Sequence, residues 1–535
     1  MLAIFFAGLL SVCYGQLIVN TQYGMVQGRV LGAGVANGWL GVPFGHAARF
    51  SAPQAPQSWS GVRSTISFGP GCPQHCVLPD GLCPESQSED CLNLNIYAPT
   101  APSSNRVPVL AFIYGGAFAM GVSGCKAYDA RYLANATGAI VVTFNYRLGV
   151  LGFLISGSSN GNYGILDQRF ALQWIQHNIA NFGGDPSQVT LFGQSAGAMS
   201  TTFHLLDKAS WGLYQRAIVQ SNPLALPFLT KETGEIFTRK AAQAIGCDPD
   251  DLTCFANCRG ACLETLLTAQ DQGAGEQIWH PFASFLATTP MAGPGSPINN
   301  PFEMLTGGLA NPDAPIVFSA CSQDAVMFMD QAFPDGTISF VDYIALITDV
   351  WGAENVPPIT SRYPSLTSSS ERLTNLENLA TDYLFVCSGK KVASMQSFSN
   401  THTFIFNHVL SFGSHAWGQN YSFCFDKVCH GAELVFQFGS AGLNNFTMTS
   451  AERRLQQDMM QFMQNYAFNG NPNNDQLLQA GWWPPSQSGS YIFATPSSVT
   501  SDYDSMCPFW DSVGYSHAGN FVKALAKRRA ANKKK

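Results

Sequence analysis

The sequence predicts an α/β protein in which helices flank a central, mostly parallel sheet within a single large domain. Three short apolar, β-branched-rich runs in the first half are bounded by turn residues, at 107–113, 139–144 and 189–192. They are apolar on both faces, as strands buried in a central sheet are. A helical pattern over 168–181 separates the last two runs, and such alternation predicts βαβ units and parallel pairing.

Length and composition favour one large folded unit. Of the 535 residues, 46% are hydrophobic and 12% are charged, so the chain has material for a sizeable core and disorder describes it poorly. Residues 451–468 read as a late amphipathic helix, followed by the turn-rich NGNP. We therefore expect one domain over 16–515, preceded by a leader at 1–15 and followed by a basic tail at 516–535.

The charge is unevenly distributed. The net charge is −7, yet residues 523–535 carry seven basic side chains and no acidic one, so the rest of the chain sums to −7 − 7 = −14. An acidic body argues against nucleic acid as a partner. The basic tail itself is typical of a solvated, frayed end.

The first fifteen residues are typical of a secretory signal. An apolar run over 2–10 is followed by Cys13 and Gly15 as the small residues before a cleavage site at Gln16. A membrane anchor is the alternative interpretation, but the run is too short to span a bilayer, and no later segment is long and apolar enough. We expect no membrane span.

Cysteines and sequons point to the same compartment. Fifteen cysteines fit an oxidising environment, and glycosylation sequons stand at Asn135, Asn420 and Asn445. We expect a glycoprotein that is secreted or resides in the lumen of the secretory or endolysosomal pathway.

The segment 193–197 reads GQSAG and carries the predicted nucleophile, Ser195. A G-x-S-x-G pattern alone arises by chance roughly one time in five in a chain of this length. Here it follows an apolar strand and precedes small residues suited to a helix, the strand–elbow–helix arrangement of a nucleophilic serine. At a helix N-terminus, backbone N–H groups and the helix dipole favour developing negative charge.

A second loop is a candidate oxyanion hole. Residues 113–118 read IYGGAF directly after an apolar strand, and their small side chains let the backbone approach a tetrahedral oxygen. We expect the N–H groups of Gly116, Ala117 and, from the elbow, Ala196 to be the donors. The alternative for the two glycines is an ordinary turn.

Further motifs, taken together, resemble those of one family. They are SEDCLNLN at 88–95, NYRLG at 145–149, LDQR at 166–169, FGGDP at 182–186 and CHGAEL at 429–434. With the two segments above, they are similar to the type-B carboxylesterases and cholinesterases over about 16–515. The resemblance implies the α/β-hydrolase fold and hydrolysis of carboxylic esters.

The resemblance places the general base at His430, before Gly431. An imidazole there takes the proton from Ser195 and returns it to the leaving alcohol. For the acid, aligning the segment CSQDAVMF on Phe328 gives Asp324; aligning on the family's Asp-Glu-Gly would instead place Ala325 there and break the triad. We favour Asp324, which preserves the order Ser, acid, His, with Asp330 as a fallback.

The resemblance also suggests residues around the catalytic groups. Gln194 stands where cholinesterases carry Glu, and the 72–91 segment contains no Trp, Tyr or Phe to bind a quaternary ammonium. We therefore expect neutral esters to be preferred over choline esters. The aromatic positions that match the family's pocket are Phe118, Phe228 and Phe328, and Ser221 matches a serine near the histidine.

For the disulfides, the family pattern suggests Cys72–Cys91 and Cys387–Cys507. Cys247 is expected to pair with Cys254, with Cys258 as an alternative. Proximity alone suggests three local pairs and leaves two cysteines over, because connectivity does not follow from spacing; the pairs are Cys76–Cys83, Cys258–Cys262 and Cys424–Cys429. We expect no metal and no cofactor.

The leading functional hypothesis is ester hydrolysis through an acyl-enzyme on a small-molecule or lipid ester. The alternatives are a catalytically inert adhesion or binding protein, which this family includes, and a lipase active at lipid interfaces. Acyl and alcohol specificity and the oligomeric state do not follow from the sequence.

Overall fold

A computed structural model describes residues 17–79, 81–100, 105–157, 159, 161–275, 289–293, 296–395, 400–474, 478–501 and 505–516. The predicted leader at 1–15 and the basic segment 523–535 lie outside these residues. The leader and the basic tail therefore stay predictions.

The strands alternate with helices through most of the chain. The strands are β1 (Ile18–Thr21), β2 (Gly24–Gln27), β3 (Arg29–Leu31), β4 (Ala36–Pro43), β5 (Val62–Ser64), β6 (Asn93–Pro99), β7 (Val107–Ile113), β8 (Ile140–Phe144), β9 (Gly184–Gln194), β10 (Arg216–Gln220), β11 (Ile316–Cys321), β12 (His402–Phe406), β13 (Ser490–Phe493) and β14 (Ser498–Thr500).

Most of these strands form one large sheet. In the described residues its order is β14-β13-β12-β11-β10-β9-β7-β8-β6-β4-β3, and β1, β2 and β5 form a small separate sheet. Pairing is parallel from β8 through β7, β9, β10, β11 and β12 to β13. The edge strands pair antiparallel. The mostly parallel sheet that the sequence predicts is confirmed.

Helices accompany the sheet. They are α1 (Arg131–Thr137), α2 (Gly149–Phe153), α3 (Tyr163–Asn178), α4 (Ala196–Leu206), α5 (Lys231–Ile245), α6 (Leu252–Asn257), α7 (Ala261–Gly275), α8 (Pro301–Thr306), α9 (Val326–Ala332), α10 (Phe340–Trp351), α11 (Val356–Thr360), α12 (Ser369–Thr381), α13 (Cys387–Ala393), α14 (Gly413–Trp417), α15 (Leu434–Phe438), α16 (Ser450–Asn469) and α17 (Cys507–Val513). Within the described part of the chain, none of them combines the length and apolarity needed to cross a bilayer.

The central strands are buried because helices cover the sheet. All five residues of β8 are buried, as are six of the seven in β7, which explains why their sequences are apolar on both faces. Because β7, β9 and β11 are parallel, the segments that leave their carboxyl ends meet at one edge of the sheet. That edge carries the candidate site.

Candidate active site

Ser195 occupies a strained turn between β9 and α4. Its φ is 59° and its ψ is −125°, a conformation that a non-glycine residue adopts only when its surroundings enforce it. Its N–H donates a 2.9 Å hydrogen bond to the carbonyl of Gln220 on the neighbouring strand β10. The turn thereby fixes the serine directly above the carboxyl end of the sheet.

Two glycines make this turn possible. A Cβ at Gly193 would overlap the carbonyl oxygen of Gly197, and a Cβ at Gly197 would overlap the carbonyl oxygen of Ile113. The strand and the helix therefore approach too closely for any larger residue at either position. This contact is the physical reason for the G-x-S-x-G spacing.

His430 and Asp324 meet although 106 residues separate them. His430 Nδ1 lies 2.7 Å from Asp324 Oδ1, and the Asp324 side chain is fully buried. The other carboxylate oxygen accepts a 2.8 Å hydrogen bond from the backbone N–H of Cys321. A carboxylate that accepts from Nδ1–H fixes the tautomer in which Nε2 has the lone pair that a general base needs.

The imidazole of His430 is held between aromatic rings. Its centroid lies 5.1 Å from that of Phe328, edge to face, and 5.5 Å from that of Phe385. Its Nε2 is buried and makes no hydrogen bond within the described residues. His430 and Ser195 line the same cavity, so this nitrogen is the atom left to act as the base.

The loop after β7 has the backbone geometry of an anion-binding turn. Gly116, Ala117 and Phe118 all have positive φ, at 113°, 54° and 59°. Gly116 and Ala117 line the cavity together with Ser195, and Ala196 follows the serine at the first position of α4. The three predicted donors thus lie on the two segments that flank Ser195.

The cavity has a volume of about 240 Å³. Gln194 and Phe328, two of the predicted pocket residues, line it. Phe118 is buried against Phe153, with ring centroids 5.1 Å apart. The other two predicted residues are also buried, and the structure does not place them in the described lining; they are Ser221 and Phe228.

A buried carboxyl group lies behind the catalytic pair. The Cys321 thiol donates to Glu433 Oε2 at 3.1 Å, and Gln220 Nε2 lies 3.4 Å from Glu433 Oε1. Burial, together with the nearby charge of Asp324, raises the pKa of Glu433 from 4.5 to about 7. Burial also raises the pKa of the Cys321 thiol well above its usual range.

Other lining residues are absent from the sequence-based prediction. Trp417, Tyr421 and Tyr128 bring aromatic rings to the cavity, and Asp271 of α7 brings a carboxylate. Asp271 Oδ2 lies 2.5 Å from His75 Nδ1. These side chains come from segments remote from Ser195, and no local motif marks them; only the three-dimensional arrangement identifies them.

Six cysteine pairs of the described chain lie at bonding distance, with S–S separations of 1.93–2.05 Å. Cys247 pairs with Cys254 rather than with the alternative, Cys258. Cys125 and Cys321 are buried thiols. The remaining pairs are those expected; they are Cys72–Cys91, Cys387–Cys507, Cys76–Cys83, Cys258–Cys262 and Cys424–Cys429.

Surface and metal chemistry add two observations. Asn135, Asn420 and Asn445, the sequon asparagines, are all exposed. Within the described residues, no group of three or more His, Cys, Asp or Glu side chains is arranged to hold a metal ion.

A mostly parallel sheet with a strained serine at the turn between a central strand and its helix defines the α/β-hydrolase fold. The carboxylesterase family matches residues 15–510, and the chain belongs to that family. The protein is therefore a carboxylic ester hydrolase.

Known relatives agree with this assignment. The chain is 31% identical to the crystal protein of Dictyostelium discoideum, over 89% of this chain and 88% of that one. It is 32% identical to pyrethroid hydrolase Ces2a of Mus musculus, over 87% and 85% of the two chains. Among solved structures, a PNB esterase is 30% identical, with a TM-score of 0.75, over 93% of this chain and 100% of that chain.

Proposed function

We propose that the protein hydrolyses neutral carboxylic esters through an acyl-enzyme formed on Ser195, with His430 as general base and Asp324 as the orienting acid. The observation that carries the proposal is the buried contact of 2.7 Å between His430 Nδ1 and Asp324 Oδ1. That contact leaves Nε2 available in the cavity that Ser195 also lines.

In the acylation half-reaction, Ser195 Oγ attacks the ester carbonyl carbon while its proton moves to His430 Nε2. The carbonyl oxygen becomes an oxyanion, which the N–H groups of Gly116, Ala117 and Ala196 stabilise. The tetrahedral intermediate then collapses, the bond to the alcohol oxygen breaks, and His430 returns the proton to that oxygen. The acyl group stays on Ser195.

Deacylation repeats these steps with water. His430 Nε2 takes a proton from the attacking water, and the second tetrahedral intermediate releases the carboxylic acid as Ser195 Oγ regains its proton. Throughout, the Asp324 carboxylate holds the imidazole through Nδ1–H and stabilises the imidazolium.

A preference for neutral esters is supported by the charges around the cavity. Gln194, beside the nucleophile, is an amide with no charge to attract a cation. Asp271, the acidic side chain in the described lining, is already engaged by His75. A quaternary ammonium would therefore lose its hydration without gaining an available carboxylate.

The location that we propose is the secretory pathway or the extracellular space. Six cysteine pairs at bonding distance support an oxidising compartment. The exposed sequon asparagines are accessible to glycosylation.

Pre-steady-state hydrolysis of p-nitrophenyl acetate tests the mechanism. We expect an initial burst of one p-nitrophenol per active site and none from Ser195→Ala. A second comparison sets acetylcholine against its uncharged isostere 3,3-dimethylbutyl acetate, and we expect the higher kcat/KM for the isostere. Much faster cleavage of acetylcholine would disprove the neutral preference, and full turnover by Ser195→Ala would disprove the mechanism.

A further inference from the structure

A second, smaller cavity adjoins the catalytic cavity on the side of His430. It has a volume of about 70 Å³, and we refer to it as the side cavity. Six residues line both cavities, so the two share a wall and an opening; they are Pro79, Leu82, Tyr128, Trp417, Gly431 and Leu434.

We propose that the side cavity is a specificity subsite for the alcohol part of the substrate, and that it selects esters of bulky, apolar, uncharged alcohols. The proposal rests on the acyl-enzyme mechanism proposed above. In that mechanism the leaving alcohol oxygen receives its proton from His430 Nε2. The alcohol group must then extend on the side of His430, where Gly431 and Leu434 connect the two cavities.

The lining of the side cavity suits an apolar, uncharged group. Every described residue that lines it has an uncharged side chain. Tyr128 and Trp417 contribute aromatic rings, whose large apolar surfaces favour contact with another ring or a branched alkyl group. A charged alcohol would lose its hydration there without gaining an ionic partner.

Small side chains create the space. Ala127, Ala416 and Ala432 line the side cavity but not the catalytic cavity. At the junction, Gly431 has a φ of 86°, and a Cβ there would come within 3.6 Å of both Gln194 Nε2 and Leu434 Cδ1. Larger residues at these positions would fill the space where we place the alcohol.

The walls of the subsite are braced. Pro79 lies within the loop closed by Cys76–Cys83, and the Cys424–Cys429 loop immediately precedes His430. The Tyr421 hydroxyl donates a 2.9 Å hydrogen bond to the carbonyl of Val77, which joins the segments of these two loops. A preformed subsite of this kind binds a matching group with little reorganisation.

Filling the side cavity tests the proposal. Ala127→Phe and Ala416→Phe place a ring in it without altering any residue of the catalytic cavity. Substrates share one acyl group: ethyl acetate, benzyl acetate and naphthylmethyl acetate. We expect each variant to lower kcat/KM for the two aromatic esters at least 10-fold relative to ethyl acetate, the scale of discrimination in an apolar pocket. The control Ala47→Phe fills a separate polar pocket that shares no lining residue with either cavity and should leave the ratio unchanged.

The outcomes separate the subsite from the mechanism. If the variants keep their activity on ethyl acetate and the ratio among the three esters is unchanged, the side cavity is not the alcohol subsite, although the esterase mechanism stands. Equal loss on all three esters, with normal thermal unfolding, also contradicts the proposal. If the wild-type protein hydrolyses none of them, the proposed function itself fails.

Discussion

Asp324 lies where two distant segments of the chain converge, at the end of β11 and beside His430. We predict that Asp324→Asn lowers kcat for p-nitrophenyl acetate by about 10⁴-fold, because an amide no longer fixes the imidazole tautomer that leaves Nε2 as the base. The control is Asp330→Asn on α9. Burial raises the pKa of Asp330 to about 6, but the residue does not touch His430, so we expect its variant to retain activity. Full turnover by Asp324→Asn would contradict the assignment.

Glu433 gives the protein a pH-dependent stability. Its pKa is raised from 4.5 to about 7, chiefly by burial, so the folded protein retains a proton that the unfolded chain has lost. The free energy of unfolding should then fall as the pH rises from about 5 to about 8. Glu433→Gln removes this contribution, and urea denaturation of both proteins at the two pH values measures it. Parallel losses in the two proteins would show that Glu433 makes no such contribution.

At single positions, the sequence predicts what a local motif or the family resemblance marks. Ser195 and His430 each lie in such a motif, and Asp324 follows from an alignment choice that the contact with His430 supports. Phe385 and Cys321 contact catalytic side chains or their neighbours from segments that carry no motif. Their positions depend on packing between distant elements, which a single sequence does not encode locally.

Among the elements, α7 and the 72–91 loop are joined through one histidine. His75 Nε2 lies 2.8 Å from Glu264 Oε1, and its Nδ1 lies 2.5 Å from Asp271 Oδ2. The hydrogen bond with Asp271 is the largest cause that raises the pKa of His75 above 6.5. The joint is therefore complete below pH 6.5 and weakens as the pH rises through the higher pKa of the folded protein.

We predict that amide hydrogen exchange over 74–83 increases as the pH rises through this interval, after correction for intrinsic exchange rates. His75→Asn should show the faster exchange at all pH values, because Asn does not carry the charge that holds both carboxylates. His46→Asn, at an exposed histidine, is the matched control. The effect should be modest, since the three side chains are partly exposed. Identical exchange in wild type and His75→Asn would contradict the joint.

The elements that periodicity identifies are the buried strands and the long helices. The apolar run at 107–113 coincides with β7, and the helix predicted over 451–468 is observed as α16. The strand predicted at 189–192 extends in the structure to β9, Gly184–Gln194. The pattern does not cover the more polar start of that strand, which pairing with its neighbours and not side-chain burial determines.

At the scale of the whole molecule, one disulfide joins remote parts of the chain. Cys387 on α13 and Cys507 on α17 are 120 residues apart, so their bond restricts the unfolded chain far more than Cys258–Cys262, only four residues apart. We predict that Cys387→Ser/Cys507→Ser lowers the free energy of unfolding by about 2–5 kcal/mol. Cys258→Ser/Cys262→Ser should cost clearly less in the same denaturation experiment; equal losses would contradict this account.

Fold class and family follow from the sequence because many short motifs occur in one order along the chain. The shape of the catalytic cavity does not. Its aromatic lining comes from Tyr128, Trp417 and Tyr421, which meet only after the 72–91 loop and the segment before His430 have packed together. Alcohol specificity is therefore a property of the folded molecule.

The most direct test of the central claim is labelling with an organophosphonate probe, followed by intact mass measurement and peptide mapping. The account predicts one adduct per chain, on Ser195, with loss of esterase activity in step with labelling. It predicts no adduct on Ser195→Ala and strongly slowed labelling of His430→Ala. Absence of an adduct on Ser195 in the folded wild-type protein, or labelling at another residue that abolishes activity, would contradict it and favour the inert binding protein.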